Sequence, residues 1–272
     1  MRKELVSFIL PVWKPDLSQL KTCLESLVNQ TYSNIEIIIA YKKFSIELDK
    51  KFFDFITQFD DNRIKIIDCK IRGVANQLNE GIKNSRGELI ARIDADDFCE
   101  LTRLEKQLQF KKKHSYNVVG SWGYYISNDG KKLWSIKRPV THQEIRKKIM
   151  KQSPLLHSSV LMDKKMLINL GLYDSHQTYA QDYELWFRAM SHGYKFGNVP
   201  ECLIYIRYDP SSHSRSDWKK HRLATLKIRK KGIKDYGFHK LWDYFYYLPS
   251  LFYYFISPEL AFKVRKKFKN KE

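Results

Sequence analysis

The first hundred residues predict an α/β domain built on a parallel, doubly wound sheet, and two observations carry that expectation. Four short apolar runs rich in β-branched residues, 6–10 (VSFIL), 35–39 (IEIII), 64–67 (IKII) and 89–93 (LIARI), have the length and composition of buried strands. Between them apolar residues recur at helical spacing, and alternating strands and helices close most simply as a parallel sheet with helices on its faces.

The elements follow in order. Leu17, Leu20, Leu24, Leu27 and Val28 form a helical stripe behind Asp16, a residue suited to cap its first turn. A second stripe of Val74, Leu78 and Ile82 follows Gly73. Beyond Leu101 a helix is expected to about Lys113, and then the runs 118–126 and 131–136 flank Asn128-Asp129-Gly130, a hairpin signal. A strand at 159–162, a helix closed near Gly171, a helix at 183–190 stopped by Gly193 and a strand at 203–208 complete an α+β second half.

Composition narrows the class. The chain has 272 residues, 49 Lys+Arg against 30 Asp+Glu for a formal charge of +19, and 43% hydrophobic residues, enough apolar surface to exclude wholesale disorder. Cys23, Cys69, Cys99 and Cys202 form no CxxC pair, which argues against a zinc site or a disulfide framework and for a reducing compartment. The N-terminal residues lack the pattern of a secretory signal, so a cytoplasmic location is expected.

The charge is uneven: residues 219–272 hold 15 Lys/Arg and 4 Asp/Glu, a net +11. Within that segment residues 244–258 (YFYYLPSLFYYFISP) are uncharged, shorter than the roughly 20 apolar residues of a spanning helix, and interrupted by Pro249. Two readings follow: an interfacial anchor drawn to an anionic membrane surface, or a helical pair packing its aromatics on the main domain. The expected division is residues 1–215 as the main domain and 216–272 as a helical aromatic and basic tail. The tail has no nucleic-acid-binding module, and its tyrosines cluster apart from the basic residues, so nucleic acid is not an expected partner.

Asp94-Ala95-Asp96-Asp97 follows the run LIARI. Carboxylates at a strand's carboxyl end repel one another unless a cation lies among them, and Mg²⁺ or Mn²⁺ commonly bridges such groups to a substrate diphosphate. The alternative is a helix cap, with Asp96 or Asp97 satisfying the turn that follows. Ligands in open α/β sheets bind at the carboxyl ends of the strands, which also makes Pro11 and Trp13, just after the first strand, candidates for a binding edge.

The stretch GVANQLNEGIKNSRGELIARIDADDFCELTRLEKQ (73–107) closely resembles the central block of family 2 glycosyltransferases, which have the GT-A fold. So do VSFILPVWKP, CLESLVNQTYSNIEIII, His157-Ser158-Ser159, Gly171-Leu172-Tyr173-Asp174 and QDYELWFR (181–188), in order along residues 6 to about 214. The resemblance implies a Rossmann-like, mostly parallel sheet flanked by helices. The activity implied is inverting transfer, of hexosyltransferase type, from a nucleotide-sugar donor to an acceptor hydroxyl. A lipid-linked glycan of cell-surface polysaccharide synthesis, met on the inner face of the cell membrane, is the expected acceptor. Asp94 and Asp96 would hold the metal, Asp94 also the nucleotide, and Ala95, Pro11, Trp13 and Asn79 would line the donor. Asp182 would be the general base. His157, Gln181 and Trp186 are candidates for the acceptor side, although His157 and Trp186 equally suit structural roles.

Two departures stand out. Where the family carries an acidic pair after the second strand, this chain has Ala40-Tyr41-Lys42-Lys43-Phe44, which removes a carboxylate acceptor for a base N–H. After LIYIR, Asp209 stands where relatives often place a histidine, with His213 nearby. The missing acidic pair motivates a competing reading, a catalytically weak scaffold of a polysaccharide assembly complex. Retention of Asp94, Asp96 and Asp182 argues against it.

Overall fold

A computed structural model describes residues 3–208 and 217–253. Asp209, His213 and residues 254–272 lie outside the described residues, as does the end of the uncharged stretch. Along the chain, the first half runs β1 (Val6–Val12), α1 (Leu17–Val28), β2 (Ile35–Tyr41), α2 (Ile46–Ile56), β3 (Ile64–Asp68), α3 (Val74–Asn84), β4 (Leu89–Arg92), β5 (Phe98–Cys99) and α4 (Arg103–His114). The second half adds β6 (Val118–Ile126), β7 (Lys132–Ile136), α5 (His142–Lys148), β8 (Leu161–Asp163), α6 (Lys164–Asn169), α7 (Gln181–Ser191), β9 (Phe196–Arg207), α8 (Trp218–Asp235) and α9 (Leu241–Tyr253).

Nine strands form one sheet in the order β3-β2-β1-β4-β8-β6-β9-β5, with β7 paired to β6. The four strands β3, β2, β1 and β4 are parallel, while β8 runs antiparallel between β4 and β6. The order reverses at β1, whose neighbours are β2 and β4, and the crevice beyond that reversal is where a ligand is expected.

The apolar runs are strands because both faces of the sheet are covered. Phe8, Leu10 and Val12 point into one core with Leu20, Leu24 and Leu27 of α1, while Ile9 points into the other with Leu78 and Ile82 of α3. At roughly 1.5–3 kcal/mol per fully buried large side chain, this two-sided burial dominates the local energetics. Asp16 caps α1 as expected, accepting from the Ser18 and Gln19 backbone N–H groups at 2.9 and 3.1 Å.

Several elements differ from the sequence reading: β5 and α5 have no counterpart in it, and three more depart as follows. Helix α2 was not anticipated, because Phe52 is its only buried residue and its outer face exposes Ile46 and Leu48. Strand β9 begins at Phe196, seven residues earlier than expected, since Gly197, Asn198 and Pro200 interrupt its apolar pattern. Residues 157–159 form a short 3₁₀ turn ahead of β8 instead of opening the strand.

Helices α8 and α9 pack on the α7 side of the domain. Ile228, Phe238 and Gly232 are buried, Tyr246 and Tyr247 lie against the same core, and the Arg229 guanidinium donates to the Lys151 carbonyl at 2.6 Å. No helix among the described residues is long and apolar enough to cross a membrane.

Candidate active site

Strand β4 ends at Arg92, and the chain turns through Asp94, Asp96 and Asp97, which bring one carboxylate oxygen each to within 4.8 Å of one another. The helix-cap alternative does not hold, because residues 98–99 form β5 and the next helix starts at Arg103. Each aspartate is held differently. Asp94 is bonded by the Arg92 guanidinium and accepts from Ser158 Oγ at 2.8 Å. Asp97 is buried, sharing that hydroxyl at 2.5 Å and accepting from the Arg207 backbone N–H at 3.0 Å. Asp96 is solvent-accessible and accepts no bond from another residue among the described residues.

This grouping costs electrostatic energy. Although Asp96 keeps an opening to solvent, the protein packed around it, and then the neighbouring Asp94 carboxylate, push it up to about 6. Burial together with Asp96 and Asp94 pushes Asp97 well above the ordinary aspartate value. Three hard oxygen donors with one left free, in surroundings that penalise their negative charge, fit a divalent cation such as Mg²⁺ or Mn²⁺.

Asp94, Asp96, Pro11, Trp13, Lys14 and Asp16 line a cleft of about 340 Å³, which Ala95 also borders. Three larger grooves, about 670, 690 and 750 Å³, open elsewhere, but none is lined by any of the three clustered aspartates. The Trp13 ring is covered by the Arg72 guanidinium, 3.5 Å above its centre, and meets Phe44 edge-on at 6.0 Å. The segment that replaces the acidic pair therefore sets an aromatic ring against Trp13. Nearby carboxylates are already engaged: Asp49 accepts from the Tyr41 hydroxyl at 2.7 Å, and Asp68 pairs with Lys43 at 2.9 Å.

Asp182 is the second residue of α7, a helix entered through Ala180 at φ 55°, a conformation rare for a residue with a side chain. Burial raises its carboxyl above the ordinary range, against the Tyr183 backbone N–H, Arg92 and His221, which lower it. Arg92 acts electrostatically on both Asp96 and Asp182, so the acidic cluster and the α7 carboxylate share one field.

The remaining sequence-predicted residues are placed as follows. His157 Nε2 is hydrogen-bonded to the Tyr173 hydroxyl at 2.9 Å, and burial with nearby Arg92 keeps its imidazole well below its ordinary pKa, hence neutral. Trp186 is fully buried and sits edge-on to His157 at 6.1 Å, so it backs that residue and does not reach the surface of the cleft. Gln181 is half-buried beside Asp182. Asn79 spends both ends of its amide on Tyr173, donating to its carbonyl at 2.8 Å and accepting from its N–H at 3.0 Å.

Arg92, Ser158, Arg72 and His221 escaped the sequence reading. For Arg92 a signal existed: an arginine inside a run otherwise read as buried strand needs a partner. Ser158 belongs to the stretch His157-Ser158-Ser159, where a serine hydroxyl gives no signal of its partners.

A parallel half-sheet extended by strands of mixed direction, with an aspartate cluster at the exit of β4, is the GT-A architecture of nucleotide-sugar-dependent glycosyltransferases. Residues 7–176 match the family model Glycosyl transferase family 2, and the chain belongs to that family. It is 29% identical to the UDP-Glc:alpha-D-GlcNAc-diphosphoundecaprenol beta-1,3-glucosyltransferase WfaP of Escherichia coli, across 90% of this chain and 92% of that one. Its fold is similar to S. aureus TarS 1-349 in complex with UDP-GlcNAc, with a TM-score of 0.69 at 15% identity over 90% of this chain and 71% of that chain. It is also similar to the mannosyltransferase PcManGT of Pyrobaculum calidifontis in complex with GDP-Man and Mn2+, with a TM-score of 0.65 at 15% identity over 86% of this chain and 65% of that one.

Proposed function

We propose that this protein is an inverting hexosyltransferase that moves a sugar from a nucleoside-diphosphate donor to the hydroxyl of a lipid-linked glycan in cell-surface polysaccharide synthesis. The observation that carries this reading is the acidic cluster opening into the Trp13 cleft, with Asp182 held at the start of a neighbouring helix. The similarity to WfaP, whose name specifies a diphosphoundecaprenol-linked acceptor, supports the acceptor class.

The donor base lies in the Trp13 cleft, stacking through apolar contact with the indole. Pro11, Ala95 and Asp94 border the nucleotide. Asp96, with Asp94, would hold a divalent cation, which would supply charge neutralisation for the departing diphosphate. Asp182 accepts the acceptor hydroxyl's proton as that oxygen bonds to the anomeric carbon. The bond from that carbon to the diphosphate breaks on the opposite face, and the electron pair leaves with the nucleotide. Gln181 and His157 border the acceptor, and Trp186 fixes His157 from behind. Residues 1–215 carry catalysis, and 216–272 hold the protein on the inner face of the cell membrane.

The stereochemistry of the product tests this reading. Proton NMR of the first-formed glycoside should show the anomeric configuration opposite to that of the donor. Retention would remove Asp182 from the role of base.

A further inference from the structure

Helix α9 carries its charge inward and its apolar side chains outward, the reverse of a helix that faces water. Asp243 is completely buried, and its two oxygens accept from the Arg146 guanidinium of α5 at 2.9 and 3.0 Å. The Lys240 backbone N–H adds a third bond at 3.0 Å. Tyr246 and Tyr247 lie on the same side against the core. On the opposite side Leu241, Phe245 and Leu248, at helical spacing, are 86%, 69% and 54% exposed, and Tyr244 widens the stripe. Arg146 also stacks on the buried Phe238 at 4.0 Å. A buried pair of this kind fixes geometry more than it adds net stability, so the direction of the stripe is set by the fold.

Cations lie on and around the elements that hold α9. Helix α5 ends in Arg146, Lys147 and Lys148, the last two exposed. The Lys151 ammonium lies 5.9 Å from the Tyr246 ring and that of Lys240 5.0 Å from Trp242. In sequence, residues 263–271 add six further Lys/Arg and no acid. With 13 residues, α9 is about 20 Å long, short of the roughly 30 Å of a bilayer core, and it contains Pro249.

We propose that the α9 stripe, together with the exposed lysines at the end of the adjoining helix α5, is a docking surface for an anionic lipid bilayer, and that the Arg146–Asp243 pair sets the angle at which the protein sits. This rests on the membrane association proposed above and sharpens it, because a folded surface makes the contact and not only the basic chain end. The end of α5 leads through Lys151 to Ser153, whose hydroxyl reaches Asp182 at 3.4 Å.

Co-sedimentation of the full chain with phosphatidylglycerol-containing vesicles, against neutral phosphatidylcholine vesicles, tests this. Wild type should bind the anionic vesicles. Phe245→Glu with Leu248→Glu should weaken that binding by at least about tenfold, and Lys147→Glu with Lys148→Glu by several-fold, since apolar insertion and charge both contribute. Both variants alter exposed residues, so melting temperature and donor hydrolysis should be unchanged. Should wild type bind no vesicles, the membrane reading and this surface fall together. Should wild type bind and both variants bind equally well, the membrane reading stands on the chain end and this surface is overturned. Should light scattering show a wild-type dimer that the Phe245/Leu248 variant breaks, the stripe is a subunit interface and the proposal is likewise overturned.

Discussion

The guanidinium of Arg92 is bonded to the carboxylate of Asp94, two residues further along the chain. The pair places a buried cation against the first aspartate of the cluster, and Ser158 Oγ, itself accepting from Arg92 at 2.9 Å, ties the two together. Asp94 is therefore neutralised by the protein and Asp97 is fixed by Ser158 and the Arg207 backbone. Asp96 is left as the carboxylate that no hydrogen bond or direct ion pair from another described residue engages, with Arg92 and Arg207 acting on it only through space.

Asp182→Asn keeps the size of the side chain but cannot accept a proton. Transfer should fall about 10²- to 10⁴-fold, the usual contribution of a positioned base, while donor affinity by calorimetry stays within a small factor of wild type. Because burial raises the Asp182 carboxyl, the acid limb of the wild-type kcat profile should lie above the value of about 3.9 for a free aspartate. Equal loss of donor binding and transfer would place Asp182 in the donor site instead.

Protonation and cation binding compete at Asp96. Its folded-state pKa is raised to about 6, so its contribution to the stability of the metal-free protein is present below the unfolded value and is lost as pH rises through about 6. A bound cation reverses that loss only where the carboxyl is ionised. The rise in melting temperature on adding Mn²⁺ should therefore be larger near pH ~7.5 than near pH ~5. A shift equal at both values would show that the ion binds elsewhere.

Asn79 bridges α3 to the backbone of Tyr173, and through Tyr173 to His157. Asn79→Ala leaves two peptide groups without partners, at a cost of about 1–3 kcal/mol. The variant should melt earlier and show altered acceptor kinetics. A raised donor KM with unchanged stability would return Asn79 to the donor side.

Much of this architecture is legible in the chain. The runs VSFIL, IEIII and LIARI read as strands because burial on both faces leaves no alternating polar positions, and Asp16 announces the start of α1. Helix α2 is hidden because a helix that buries only Phe52 leaves little periodic trace. At the site, Asp94, Asp96 and Asp182 are legible as carboxylates in family-like motifs. Their supports are less so: the Arg92–Ser158 clamp joins residues 66 apart, and the cover that Arg72 lays over Trp13 depends on a loop conformation no periodicity encodes. Trp186 reads equally as an acceptor wall or a core residue until its complete burial is seen.

Hydrolysis of a panel of nucleotide-sugars by wild type and by Asp96→Asn, each with Mn²⁺ and with excess chelator, tests the central claim most directly. Wild type with Mn²⁺ should release nucleotide from one donor well above the others and lose most of that rate in chelator, while Asp96→Asn, with an unchanged melting profile, should stay near the chelated rate in both conditions. Undiminished turnover by Asp96→Asn, or by wild type in chelator, would contradict the assignment of the acidic cluster as the donor's metal site.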